Sequence, residues 1–304
     1  MTGILLEQML MMLTLIIFGY YLIQKGVINE WGTKQISDIL TRYVMPAAII
    51  SSFHAEFESS RLILFAWAVL IAFLTTVSRI LVNQWLFNPE ERIAKYGVTF
   101  TNAGYFGIPI VTALVGKEGV FFLSAFIMVI NILQWTYGRA LISGDPKAMS
   151  VKKVFSNPAM ISSMIGLFIY ITQIPLPSFL WNAVESVAAI NTSLAMIVIG
   201  SYLAKSSFKD TFMDQAVYKI AFVRLLLTPI LAILIIKLLP INSSELELVL
   251  TIASIAPAAA NTAILSRVFG GDYEYGARVV VLTSMLSILT IPIMMQLASF
   301  FYAL

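Results

Sequence analysis

Stretches of about 20 mostly apolar residues recur along the whole chain, each long enough to cross the ~30 Å hydrocarbon core of a bilayer. Only short connections separate them, so no soluble domain fits between. Within a bilayer a backbone must satisfy its own polar groups, and runs of this length do so as helices. The fold class is therefore all-α integral membrane. The composition agrees, with 59% hydrophobic and 12% charged residues among 304.

The runs divide into ten expected spans, at about 4–24, 36–53, 62–86, 96–115, 119–142, 157–173, 178–204, 216–239, 246–266 and 276–302. The first lacks the basic n-region of a signal peptide and has Glu7 ahead of its apolar run, so it is expected to remain as a span. Cations set the direction. With the N-terminus outside, about sixteen of the 19 Lys and Arg fall on the cytoplasmic side, against Arg61, Lys117 and Lys237 on the other. The expectation is a multi-pass plasma-membrane protein with both termini outside.

Several classes of function drop out. There is no Cys and a single His, His54, so thiolate chemistry and a His-based metal cluster are excluded. No phosphate-binding loop, zinc motif or nucleophile elbow is present, so no enzyme activity, cofactor or metal is expected. The net charge of +3 gives no argument for nucleic acid as a partner. The partners expected are the lipid bilayer and a small solute.

The most basic connection, "SGDPKAMSVKKVFSNP", divides the chain into halves of five spans, 1–145 and 157–304, joined by a cytoplasmic loop at 146–156. Five is odd, so the second half enters the membrane from the opposite side, and related halves would form an inverted repeat. Corresponding segments share a character. "TNAGYFGIPIVTALVG" in the fourth span and "IAPAAANTAILSRVFGG" in the ninth both combine small residues, Asn, Pro and a terminal Gly. Gly and Pro interrupt helices. Paired interruptions in two inverted halves point to a transporter binding site, with half-helix N-termini offering free N–H groups to an anion. The alternative for each segment is a Pro-kinked helix with small residues for close packing.

Asn102 can donate to a carboxylate and accept from backbone, or it can cap a broken helix. Asn131 and Gln134 are polar in an apolar fifth span, as ligand contacts or as interhelical hydrogen bonds. Asn261 and Thr262 sit in the second interruption and are expected to line the binding site. Ser51, with Pro46 and Ser52 nearby, is expected to bind substrate, and Asn191 has similar standing; the alternative for each is a kink and helix packing. Glu185 is either an intramembrane acid or an interfacial one. Arg79 and Arg224 read as cations near inner helix ends, able to snorkel.

These motifs resemble the auxin efflux carrier family, which includes the plant PIN-formed proteins and bacterial malate-permease-like carriers. "NAGYFGIP" resembles its Asn-x-x-x-x-Gly-Ile-Pro crossover, "SNPAMISSMIGL" its sixth-span opening, and "VRLLLTP" its Arg-x4-Pro element. "APAAANTAILSRVFG" resembles its second crossover, and "LTIPIMMQL" the end of its tenth span. The resemblance implies two inverted five-helix repeats with broken helices four and nine crossing. It also implies a scaffold of spans 1, 2, 6 and 7, a mobile unit of spans 3–5 and 8–10, elevator-type alternating access and a homodimer. Gly104, Gly107, Ile108, Pro109 and Pro257 then belong to the crossovers, with Gly107 and Pro109 beside the substrate. The family's matching Asn contacts substrate at Asn102. Trp135 aligns with a family Trp, which puts Asn131 at a substrate-binding Gln position. Two features depart from the plant carriers. The long central loop and its phosphorylation sites are absent, and Thr262 stands where the plant crossover has Pro.

The function expected is a carrier exporting small carboxylates such as malate or indole-acetate. A cation-coupled symporter or antiporter and a non-transporting anion receptor are the alternatives. Neither crossover contains an acid, which favours transport without obligatory sodium or a proton-binding carboxylate.

Overall fold

The computed structural model describes residues 2–205 and 208–302. The expected outer placing of the two ends falls partly on Met1 and residues 303–304, outside the described residues. Among the described residues the regular structure is helical, and the single antiparallel bridge, between Thr101 and Ala258, is isolated.

Among the described residues, six helices are long and apolar enough to cross a membrane: Gly3–Gln24, Ser59–Leu86, Lys117–Ser143, Ser178–Lys205, Gln215–Leu238 and Tyr273–Tyr302. The pair Pro146–Phe155 and Pro158–Thr172, bent by 44°, makes a seventh if counted as one span. Large apolar side chains on these helices face outward, among them Ile17, Phe18, Ile63, Trp85, Phe168 and Phe300. An outward apolar surface of this extent needs lipid against it. The protein is a multi-pass membrane protein. The expected segments 36–53, 96–115 and 246–266 are assembled from shorter pieces, and the sequence explains why.

Proline sets three of the irregularities. Its ring collides with the carbonyl four residues earlier and it lacks an N–H, so the preceding turn must widen or open. Wide π-turns at Leu40–Val44, Ala103–Gly107 and Val223–Leu227 each end two residues before a proline, namely Pro46, Pro109 and Pro229. A fourth, at Gln134–Gly138, has no proline behind it. Such turns often mark functional positions.

Two glycines bring the first helix against the Ser178–Lys205 helix. A Cβ on Gly200 would lie 2.1 Å from the Ile16 carbonyl oxygen, and one on Gly19 would lie 2.5 Å from that of Ile197. Only residues without side chains permit backbones to approach this closely, the usual device between membrane helices. A hydroxyl relay joins three elements nearby. Ser37 Oγ lies 3.2 Å from both the Tyr105 and the Tyr202 hydroxyls. At another end of the bundle, Phe53, Phe65, Phe121 and Tyr170 pack as tilted and edge-on aromatic pairs.

Candidate functional site

The two interrupted segments meet. The Arg92–Thr99 helix stops at Phe100, which is extended (φ −102°, ψ 127°). The Ser244–Ile255 helix stops at Ala256 (φ −57°, ψ 150°), held out of helical geometry by the following Pro257. The freed backbones then pair with each other. Asn102 N donates to Pro257 O at 2.8 Å, and Ala259 N donates to Phe100 O at 2.9 Å. Thr283 Oγ1 accepts from Ala258 N at 3.2 Å. This satisfies backbone groups that would otherwise be left unpaired where the helices stop. Beyond the crossing the chain re-enters helix at Ala103–Leu114 and at Asn261–Val268.

Four half-helix ends therefore converge, two C-terminal and two N-terminal. Each end carries about half an elementary charge, so the four dipoles roughly cancel. Two arginines do not cancel. Arg79, on the Ser59–Leu86 helix, and Arg224, in the π-turn before Pro229, are both 0% exposed. Arg224 Nη1 donates to Val98 O at 3.2 Å, Nη2 to Ser254 O at 3.0 Å and Nε to Ala256 O at 3.1 Å. Arg79 Nη2 donates to the same Ser254 O at 3.3 Å. The guanidinium fork matches several carbonyls at once, and Arg stays protonated in proteins. Among the described residues neither takes part in a salt bridge. The sequence suggested that these cations snorkel to the inner interface. The structure instead buries both against the helix C-termini at the crossing.

A small cavity opens beside the crossing, with Asn102, Tyr105, Tyr202, Ala260, Ser284 and Met285 in its lining. Its volume of about 10 Å³ has room for about one water, so no larger solute fits in this arrangement of the helices. Asn102 is 7% exposed; its Oδ1 accepts weakly from Tyr105 N at 3.4 Å. The amide nitrogen of Asn102 and the hydroxyl of Ser284 are buried without partners. An unmet buried donor costs about 1–3 kcal/mol.

The remaining residues singled out from the sequence sort by position. Gln134, in the fourth π-turn, is buried and accepts from Asn261 Nδ2 at 2.7 Å. Thr262 is fully buried, with an unpartnered Oγ1. Asn131 donates to its own helix at Ile127 O, 3.0 Å, and Ser51 to Ala48 O, 2.9 Å; neither lines the cavity. Gly104 meets the Met45 side chain, where a Cβ would lie 2.9 Å from its sulfur. Gly107 packs on Leu123, Ile108 is buried, and Pro109 O accepts from Gln8 Nε2 at 3.2 Å. Asn191 is buried, and both its amide atoms lack partners. Glu185 is wetted, with its side chain 40% exposed, paired to Lys117 Nζ at 2.8 Å and 3.9 Å from His54 Nδ1. His54 in turn stacks on Trp181 at 4.0 Å.

Sequence reasoning missed Tyr105, Tyr202 and Ser284 as cavity residues. Nothing in their local pattern distinguishes them from packing residues. It noticed the arginines but not their depth. A cation inside an apolar run was the available signal.

Comparison with known proteins gives one family. The family described as membrane transport protein matches residues 4–156 and 147–295. An uncharacterized transporter of Methanocaldococcus jannaschii is 22% identical over 302 residues, covering 95% of this chain and 97% of the relative. A second, from Methanothermobacter thermautotrophicus, is 21% identical over 294 residues, covering 94% and 96%.

Proposed function

The chain belongs to the membrane transport protein family, and we propose that within it the protein carries small organic carboxylates out of the cell across the plasma membrane. The observation that carries this reading is the pair of unpartnered buried donors, Asn102 Nδ2 and Ser284 Oγ, beside one cavity at the crossing. Two buried guanidiniums make that region net positive without placing a Lys or Arg in the cavity lining. A neutral amide and a hydroxyl can then bind an anion reversibly, since release need not break an ion pair in low dielectric.

The proposal takes the ten-span arrangement, with 1–145 and 157–304 as inverted repeats and both termini outside. The interruptions at Phe100–Asn102 and at 256–260 are then the corresponding breaks of spans four and nine. In the elevator reading, spans 3–5 and 8–10 move as a unit along spans 1, 2, 6 and 7, in a homodimer. Polar ties across that boundary among the described residues include Ser37 to Tyr105, Gln8 to Pro109, Lys117 to Glu185 and the two backbone bonds of Glu58, just ahead of the Ser59–Leu86 helix, with the Tyr170 hydroxyl. Each can break and re-form at modest cost.

Purified protein in liposomes, offered a panel of labelled mono- and dicarboxylates, tests the reading. Saturable movement of at least one carboxylate above protein-free liposomes is expected. Binding without movement would make the protein a receptor, and movement of cations or neutral solutes alone would overturn the carboxylate assignment.

A further inference from the structure

The segment that follows the Lys117–Ser143 helix folds back on the end of that helix through two bonds. Ser150 N donates to Trp135 O at 3.0 Å, and Arg139 Nε donates to Ala148 O at 2.8 Å. The fold-back gathers cations on aromatic rings. Arg139 Cζ lies 5.7 Å from the centre of the Trp135 ring and 4.8 Å from that of Phe269, and Lys153 Nζ lies 5.5 Å from the Trp135 ring. Between positions 139 and 153 the chain carries Arg139, Lys147, Lys152 and Lys153 against one acid, Asp145. Asp145 Oδ1 accepts from Lys147 N at 2.9 Å. None of the four cations enters a salt bridge among the described residues. Two donors in the cluster, Trp135 Nε1 and Arg139 Nη1, are buried without partners.

The same segment exposes apolar side chains. Its Val151–Phe155 helix buries Val154 and leaves Val151 and Phe155 exposed, with Met149 exposed just ahead of them. Lys152 and Lys153 are exposed as well. Apolar and cationic side chains interleaved at the end of a membrane helix suit the bilayer surface, with the apolar groups toward acyl chains and the ammoniums toward headgroups.

We infer that this cluster binds the phosphate of an anionic phospholipid, held between Arg139 and Lys153 in the leaflet on that side of the membrane. Three features carry it. The cluster is positive and no acid neutralises it. Trp135 Nε1 and Arg139 Nη1 lack acceptors, and a phosphate group offers oxygens in several directions, where a planar carboxylate offers two. The exposed Met149, Val151 and Phe155 place the segment at the depth of lipid phosphates, and a basic cluster beside membrane helices at that depth recognises anionic headgroups. Lys153 is exposed, so its side chain can turn to admit the headgroup and close over it. Arg139 lies on the Lys117–Ser143 helix and Lys153 on the segment after it, so a bound headgroup would pin one to the other. The inference needs a membrane protein and no particular cargo.

The test uses purified full-length protein in a neutral detergent. Melting temperature is measured against added phosphatidylglycerol, phosphatidylcholine or inorganic phosphate. For the parent, phosphatidylglycerol should give a saturable rise, and the other two little or none. Arg139→Gln combined with Lys153→Gln should weaken the phosphatidylglycerol response about tenfold or more. Lys34→Gln combined with Lys237→Gln removes the same charge from exposed positions elsewhere and should respond like the parent. No response of the parent to phosphatidylglycerol overturns the inference, as does an equal response to phosphatidylcholine. A rise with inorganic phosphate as large as that with phosphatidylglycerol makes this a site for the free ion and overturns the lipid assignment. Equal losses in the two double variants would reduce the effect to net charge and overturn the site. If the Arg139 variant does not fold, Lys152→Gln combined with Lys153→Gln, both at exposed positions, takes its place, and a response unchanged from the parent overturns the inference. Melting needs no transported solute, so a failure of the carboxylate reading leaves this result standing.

Discussion

Asn261 Nδ2 donates to Gln134 Oε1 at 2.7 Å, across 127 residues of sequence. The bond ties the π-turn of the Lys117–Ser143 helix to the first residue of the half-helix that leaves the crossing. Both side chains are amides, so either could have turned to a different partner; here each fixes the other beside the proposed site. Gln134→Glu keeps an acceptor for Asn261 and should fold, but it adds a negative charge near the anion's path. Carboxylate affinity should fall well beyond that of Gln134→Ala, with melting temperature closer to the parent. A double-mutant cycle with Asn261→Ala should return a coupling of about 0.5–3 kcal/mol. Additive single effects would mean that the contact contributes nothing.

Asn102 has two separable roles. Its Oδ1 caps Tyr105 N at 3.4 Å, a long bond, while its Nδ2 has no partner. Asn102→Ala should weaken carboxylate binding by about 1.5–3 kcal/mol, the range for a hydrogen bond to a charged group, with little loss of folding. Asn102→Asp keeps the cap but sets like charge against the ligand and should bind worse than Asn102→Ala. Titration of both variants beside the parent, with melting curves, reads the two roles apart. Unchanged affinity in both would confine Asn102 to capping.

The approach of the first helix to the Ser178–Lys205 helix depends on Gly200. A Cβ there would lie 2.1 Å from a backbone oxygen, which cannot rotate away as a side chain can. Gly200→Ala should lower stability by about 1–3 kcal/mol, the usual cost of overpacking. Gly3→Ala meets nothing within 4 Å and serves as the control, neutral or slightly stabilising. Detergent-solubilised melting curves check the pair.

Much of this was legible in the chain. Apolar runs announced the helices, because a bilayer leaves a backbone few options. Asn102, Gly104, Pro109 and Pro257 announced the interruptions, because their residue types resist a continuous helix. Partners in space were not legible. Asn131 and Gln134 lie three residues apart on one helix, and the sequence offered no way to choose between them. The structure gives Gln134 the long-range amide contact and returns Asn131 to its own helix. Arg79 and Arg224 looked like interfacial cations, since hydropathy measures distance along a helix and not what faces it. Their burial depends on carbonyls up to 175 residues away. Tyr105 and Tyr202 likewise acquire meaning only through Ser37.

The orientation is open to a direct check, because the chain has no Cys to interfere. Asp145 is exposed in the basic connection between the halves. Asp145→Cys in intact cells should resist a membrane-impermeant thiol reagent and react after permeabilisation. Labelling from outside would reverse the assigned direction.

The central claim is that an anion crosses through this protein, and potential-driven flux tests it most directly. Proteoliposomes are loaded with a labelled monocarboxylate such as indole-acetate, and an inside-negative potential is imposed at fixed pH and sodium. A monovalent anion is driven outward by about 2.3 kcal/mol per 100 mV, equivalent to a concentration ratio of about fiftyfold. The account predicts efflux that grows with the imposed potential and slows in Asn102→Ala. Efflux indifferent to potential, or dependent on a sodium gradient, would contradict it.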